Sequence, residues 1–151
     1  MTHLPVISYE DVKTLTDYAR IIYFGALYAG GIKGLKNIVK KISPNTKLMI
    51  VTVGLADVCN QENVSNIRNS IRKQVPEHLL KSASVFHLRG GIDYSKLNFK
   101  HRTMMKMVYH SLKNKPAESL TQEDKAFIET CNKKVDFVDY DSLKQIVAAI
   151  Q

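Results

Sequence analysis

Residues 20–31 read Arg-Ile-Ile-Tyr-Phe-Gly-Ala-Leu-Tyr-Ala-Gly-Gly. A short, unbroken apolar run, Ile21-Ile22-Tyr23-Phe24, gives way at Gly25 to a stretch of small residues. The run predicts a strand covered on both faces, as in a parallel sheet. Gly25 to Gly31 predicts a loop that leads straight into a helix. Small residues there let backbone N–H groups approach a planar or anionic ligand, and Tyr28 offers a flat apolar face with a polar tip. A strand-to-helix turn that needs glycine for geometry alone accounts for the same residues.

Working outward, two more runs share this design. Leu48-Met49-Ile50-Val51-Thr52-Val53 precedes Gly54, and Ser84-Val85-Phe86-His87-Leu88 precedes Arg89-Gly90-Gly91. Pro5-Val6-Ile7-Ser8 is a weaker candidate that suits a sheet edge. Helical patterns fall between the runs. Ile32, Leu35, Ile38, Val39 and Ile42 recur at helical spacing, with Lys33, Lys36 and Lys40 opposite, until Pro44 stops the helix. Val64, Ile67, Ile71 and Val75 form a second stripe before Pro76. A third helix is expected over residues 99–113. A fourth starts at Thr121, which reads as an N-cap before an acidic first turn. The last is expected over residues 142–150, with Leu143, Ile146, Val147 and Ile150 facing inward.

Strands alternating with helices predict an α/β fold on a parallel sheet with right-handed crossovers. All three strands then end on one rim, where open α/β sheets bind ligands. Asp57, Arg89 and Asp93 fall near those strand ends. The carboxylates there read as turn or cap residues, and Arg89 as a candidate to face an anionic substrate. His87, mid-strand, reads as a half-buried histidine rather than a catalyst.

Length and composition narrow the class. The chain has 151 residues, one domain's worth, and a net charge of +8. No apolar run approaches the ~20 residues of a membrane span, and Met1 to Pro5 does not read as a signal peptide. Cys59 and Cys131 lack metal or redox-pair spacing and read as free cytoplasmic thiols. No residue set has zinc spacing, and no Walker loop or nucleophile elbow is present, so neither a metal nor a catalytic residue is assigned. Six of the cations (Lys96, Lys100, Arg102, Lys106, Lys113 and Lys115) fall between Tyr94 and Ala117, a segment without acids. In the helix over residues 99–113, Met104, Met105, Val108 and Leu112 form an apolar stripe, with Met107 to one side. Such a basic amphipathic helix suits peripheral contact with an anionic membrane. The aromatic interleaving is too thin to favour nucleic acid.

The segment from Asp17 to Gly30 resembles the third strand and following loop of the flavodoxin-like family. It looks most like the flavodoxin-domain proteins related to menaquinone-dependent protoporphyrinogen oxidase. Lys47 to Leu55 resembles the fourth strand. Phe86-His87-Leu88-Arg89-Gly90-Gly91-Ile92-Asp93-Tyr94-Ser95-Lys96-Leu97 carries the most specific match, and Lys133 to Asp139 fits the same subgroup. The resemblance implies a flavodoxin-like three-layer sandwich, one domain over residues 1–151, and FMN as cofactor. It implies that Gly25, Ala26, Leu27, Tyr28, Ala29 and Gly30 flank one side of the flavin ring, with Tyr28 stacking, and that Thr52, Val53, Gly54 and Leu55 flank the other. The implied activity is electron transfer or quinone-linked oxidoreduction in the cytoplasm or at the inner face of the membrane.

By the same resemblance, Pro5 to Ser8 is already the second strand. The first strand, its phosphate loop and the first helix are expected upstream of Met1. In the order 2-1-3-4-5, losing strand one opens the edge of strand three and removes the phosphate cradle, which weakens FMN binding. Three readings stay open: a fragment or late-assigned start, a genuine short form that rearranges or dimerises through the open edge, or an N-terminal segment that pairs in another way. The counterpart to an FMN domain is a non-catalytic remnant or interaction module that keeps the fold without the flavin.

Overall fold

The computed structural model describes residues 4–28 and 31–150, with nothing described of the side chains of Gln122 and Glu123. The deepest element is the strand Lys47–Gly54, β3 in chain order, in which Leu48, Met49, Ile50, Val51 and Thr52 are each no more than 4% exposed. Successive strand residues point to opposite faces, so burial of five in a row means that both faces are covered. β1 (Arg20–Tyr28), β2 (Gly31–Ile32) and β4 (Ser84–Arg89) complete a four-stranded sheet in the order β2-β1-β3-β4. Lys47 N–H donates to the Ala19 carbonyl at 2.9 Å, and Gly90 N–H donates to the Gly54 carbonyl at 2.7 Å. The first bond joins two strand starts and the second two strand ends, so β1, β3 and β4 run parallel. The mostly parallel α/β architecture is the one the alternation predicts.

Contacts gather into two compact units, Met1–Thr52 with Asn66–Phe86, and Val53–Ser65 with His87–Gln151. In the first, Tyr23, Ile32, Leu35, Ile38, Ile42, Leu48, Ile50, Ile71 and Leu79 belong to one buried cluster. All five apolar positions of the first predicted helix are buried, but the element differs from the expectation. Ile32 belongs to β2, and the helix α1 is only Leu35–Ile38. The cause is Gly34, which takes a left-handed φ of +81° and delays the helix by a turn. A Cβ on Gly34 would lie 2.4 Å from the Tyr9 ring.

The predicted loop from Gly25 to Gly31 is also corrected. β1 continues through Gly25, Ala26, Leu27 and Tyr28, and the chain returns as β2 in an antiparallel hairpin, with Leu27 opposite Ile32 and Tyr28 opposite Gly31. Ala29 and Gly30 lie outside the described residues. Nor is β1 covered on both faces. Tyr23 and Gly25 point into the core, whereas Phe24 and Ala26 are exposed. Pro5 to Ser8 forms no strand, and Val6 is 95% exposed. Between Ile21 and Gly25, β1 has no strand partner on the side away from β3 among the described residues.

In the second unit β5 (Gly91–Asp93) pairs antiparallel with β6 (Lys134–Asp136), a sheet the sequence reading did not anticipate. α4 (Phe99–Lys113) has the expected bounds and packs on α5 (Gln122–Thr130). α5 opens with a capping box between Thr121 and Asp124, as the N-cap reading implied. α6 (Leu143–Ile150) buries Ile146, while Val147, expected inside, is exposed. α2 (Gln61–Arg72) carries the stripe of Ile67 and Ile71, and a short α3 (Glu77–Leu80) follows Pro76.

Gly25 is required by the hairpin. A Cβ there would sit 2.2 Å from Ile32 Cγ2 and 2.8 Å from Tyr23 Cε1. Gly25→Ala should cost about 1–3 kcal/mol of stability by overpacking. Urea denaturation of Gly25→Ala, Ile32→Ala and the pair checks this. The double variant should be more stable than the sum of the singles allows, because the second substitution removes the atom that the first strikes.

Candidate functional site

In the first unit the end of β1 is held by side chains of neighbouring segments. The buried Tyr23 hydroxyl donates to the Lys33 carbonyl, and Lys33 N–H donates to the Ala26 carbonyl at 3.1 Å. Gln74 accepts from Ile32 N–H at 3.4 Å and donates to the Ser70 carbonyl and hydroxyl, both at 3.2 Å. Burial pushes the Tyr23 phenol up to about 12, with Tyr9 adding to the rise. On this support Tyr28 presents a ring that is 45% exposed. That exposure fits a stacking platform for a planar ligand. Gly25 is accounted for by packing, since the space of its missing side chain is filled by Ile32 and Tyr23. Thr52 is wholly buried in β3.

In the second unit Val53, Gly54 and Leu55 are half-buried and well pinned. Gly90 lies so close that a Cβ on it would be 2.8 Å from Val53 Cγ1. Arg89 donates through Nε and Nη2 to the Leu55 carbonyl at 3.3 and 3.0 Å, and its guanidinium lies 3.8 Å from the Phe137 ring centre. The arginine expected to face an anionic substrate therefore clamps the loop after β3. Asp57 accepts from Cys59 N–H at 2.9 Å, and Asn63 Nδ2 donates to the Asp57 carbonyl at 2.9 Å. Asn60 accepts from the N–H groups of Glu62 and Asn63 at the start of α2.

Asp93 accepts from the Ser95 N–H at 3.0 Å and hydroxyl at 2.6 Å, and the hydroxyl bond holds its carboxyl below the usual range. Asp57 and Asp93 are thus turn residues, as the sequence reading had them. His87 is half-buried in β4, and His78, His101 and His110 are exposed. No group of histidine, cysteine or acidic residues among those described could hold a metal. The sequence reading missed Phe137 and Gln74. Neither carries a motif, and each acts on residues more than 40 positions away.

Two concavities are lined by other residues: Tyr94, Ser95, Arg102, Lys106 and Asn132 around one, Arg68, Ile71, Arg72 and Leu80 around the other. Tyr94 is buried beside Cys131. Burial first, then the neighbouring thiol, pushes its phenol up to about 12, and burial likewise pushes the Cys131 thiol up.

The parallel sheet and its glycine-bearing strand ends define a flavodoxin-like α/β protein. A family model described as "Flavodoxin domain" matches residues 2–119, and the chain belongs to that family. No curated protein and no solved structure is a match for it.

Two outcomes test these environments. In the native protein a thiol reagent should modify the exposed Cys59 and spare the buried Cys131, and unfolding should raise the count from one thiol to two. Tyr23 and Tyr94 titrate near 12 when folded, against an ordinary 10 in the unfolded chain. The unfolded state therefore loses these protons first as pH climbs. Stability should hold up to about pH 10 and fall between 10 and 12, as read by urea midpoints across that range.

Proposed function

We propose that this chain is an FMN-binding redox domain that works in electron transfer or as a quinone-linked oxidoreductase of the cytoplasm. The observation that carries this reading is Tyr28, a half-exposed aromatic ring at the tip of a braced hairpin in a flavodoxin-family chain. In this reading Tyr28 stacks on the flavin ring. Bound flavin supplies the one- and two-electron chemistry. The protein's share is to shield the ring and to hold the Tyr28 hairpin in place, which Tyr23 and Gln74 do through the Lys33 carbonyl and Ile32 N–H. The likeness of residues 86–97 to relatives of menaquinone-dependent protoporphyrinogen oxidase points to a quinone as the electron partner.

A second reading has its own support. The glycine at position 25 is consumed by packing, and the edge of β1 from Ile21 to Gly25 has no strand partner among the described residues. Both suit a module that keeps the fold for association, pairing β1 with a second copy, and does without flavin. FMN titration separates the two. Binding should quench flavin fluorescence, and Tyr28→Ala should weaken it about fivefold, for ~1 kcal/mol of lost stacking. No quenching at millimolar protein, together with a dimer by light scattering, would replace the first reading with the second.

A further inference from the structure

We propose that the outer face of α4 docks this protein on an anionic lipid surface. The helix has an inner side that is spoken for. Leu112 is buried, and Met104, Met105 and Tyr109 are half-buried. The outer side carries what the apolar stripe of the sequence did not reveal. Phe99, Thr103, Met107 and His110 recur four, four and three residues apart, which places them along one line of the helix. Phe99 is 85% exposed and Met107 is 69% exposed. Two large apolar side chains stand in water on one helix face, flanked by Lys100, Arg102, Lys106 and Lys113.

The charges have no internal purpose that accounts for them. None of the α4 cations pairs with a carboxylate among the described residues, where the ion pairs are Lys81–Glu77 and Lys144–Asp141. Lys100, His101 and Arg102 crowd the first turn, which holds no acid. That end of a helix carries the positive end of the macrodipole, so cations there disfavour the helix that bears them. Arg102 reaches back to the Ser95 carbonyl at 3.0 Å, and Lys113 lies over the Tyr109 ring.

An anionic bilayer answers both features. Its headgroups neutralise the cations, and Phe99 and Met107 enter the boundary of the acyl region. Because the inner face of α4 is packed on its own protein, insertion stops at side-chain depth. Attachment is therefore peripheral, reversible and salt-sensitive. Single-stranded nucleic acid fits less well, because it calls for a row of aromatic platforms and this face has only Phe99.

The experiment is flotation of the full chain with vesicles of phosphatidylglycerol and phosphatidylcholine, and with phosphatidylcholine alone. The protein should float with the anionic vesicles, be released by salt, and ignore the neutral ones. Lys100→Glu/Lys106→Glu should lose at least tenfold in binding. Phe99→Ser/Met107→Ser should lose several-fold while retaining its salt dependence. All four positions are exposed, and circular dichroism verifies the fold of each variant. Equal binding by the charge-reversed variant, equal binding to neutral vesicles, or retention on single-stranded DNA without vesicle binding would overturn the proposal. The outcome does not depend on whether the chain binds flavin.

Discussion

Everything in the first unit hangs on the two-sided burial of β3. Leu48 and Ile50 belong to the main apolar cluster, Thr52 is buried on their side of the strand, and Met49 and Val51 are equally shielded on the opposite face. A strand buried in this way needs a hydrogen-bonded neighbour along both edges, because its amides have no water to turn to. β1 and β4 supply those neighbours. The parallel direction follows from the crossovers that the intervening helical segments provide. Burying five consecutive side chains also means that a register slip of one residue gains nothing by exchanging an apolar face for a polar one. The register is set instead by the strand ends, at Ala19–Lys47 and Gly54–Gly90.

That explains which parts of the fold were legible. β3, β4 and α4 could be read within a residue or so, because their patterns are local: an unbroken apolar run, or a periodic one between clear boundaries. The hairpin was not, because a glycine-rich stretch after a strand reads equally well as a loop. The hairpin is braced by Gln74, brought to Ile32 from 42 residues away. The helix expected from Ile32 shows the same limit from another side. Its five apolar positions were correctly assigned to the core, yet helical spacing cannot register that Gly34 adopts a left-handed turn. β5 and β6 are three residues each and pair across more than 40 positions, below what periodicity can resolve.

The candidate site divides along similar lines. The rim of strand ends was visible from order alone, and Asp57 and Asp93 behave as their turn-like surroundings suggested. At Arg89 a charged residue at a strand end has no sequence mark to tell a ligand contact from a clamp, and the structure shows it bonded to the loop after β3. Its partners, the Leu55 carbonyl and the Phe137 ring, come from opposite ends of the second unit's sequence. Tyr28 presents its half-exposed ring from a hairpin rather than from the expected loop.

The half-paired β1 has a further consequence for the life of the chain. Ile21-Ile22-Tyr23-Phe24 combines β-branched and aromatic residues without a charge or a proline, and its outer backbone has no strand beside it among the described residues. Such a segment is a template for runaway sheet growth, the chemistry that ends in fibrils. Asp17 and Arg20 stand as gatekeepers on its upstream side, and no charge follows until Lys33. The net charge of +8 works against such growth, because like-charged copies repel one another. High salt screens that repulsion.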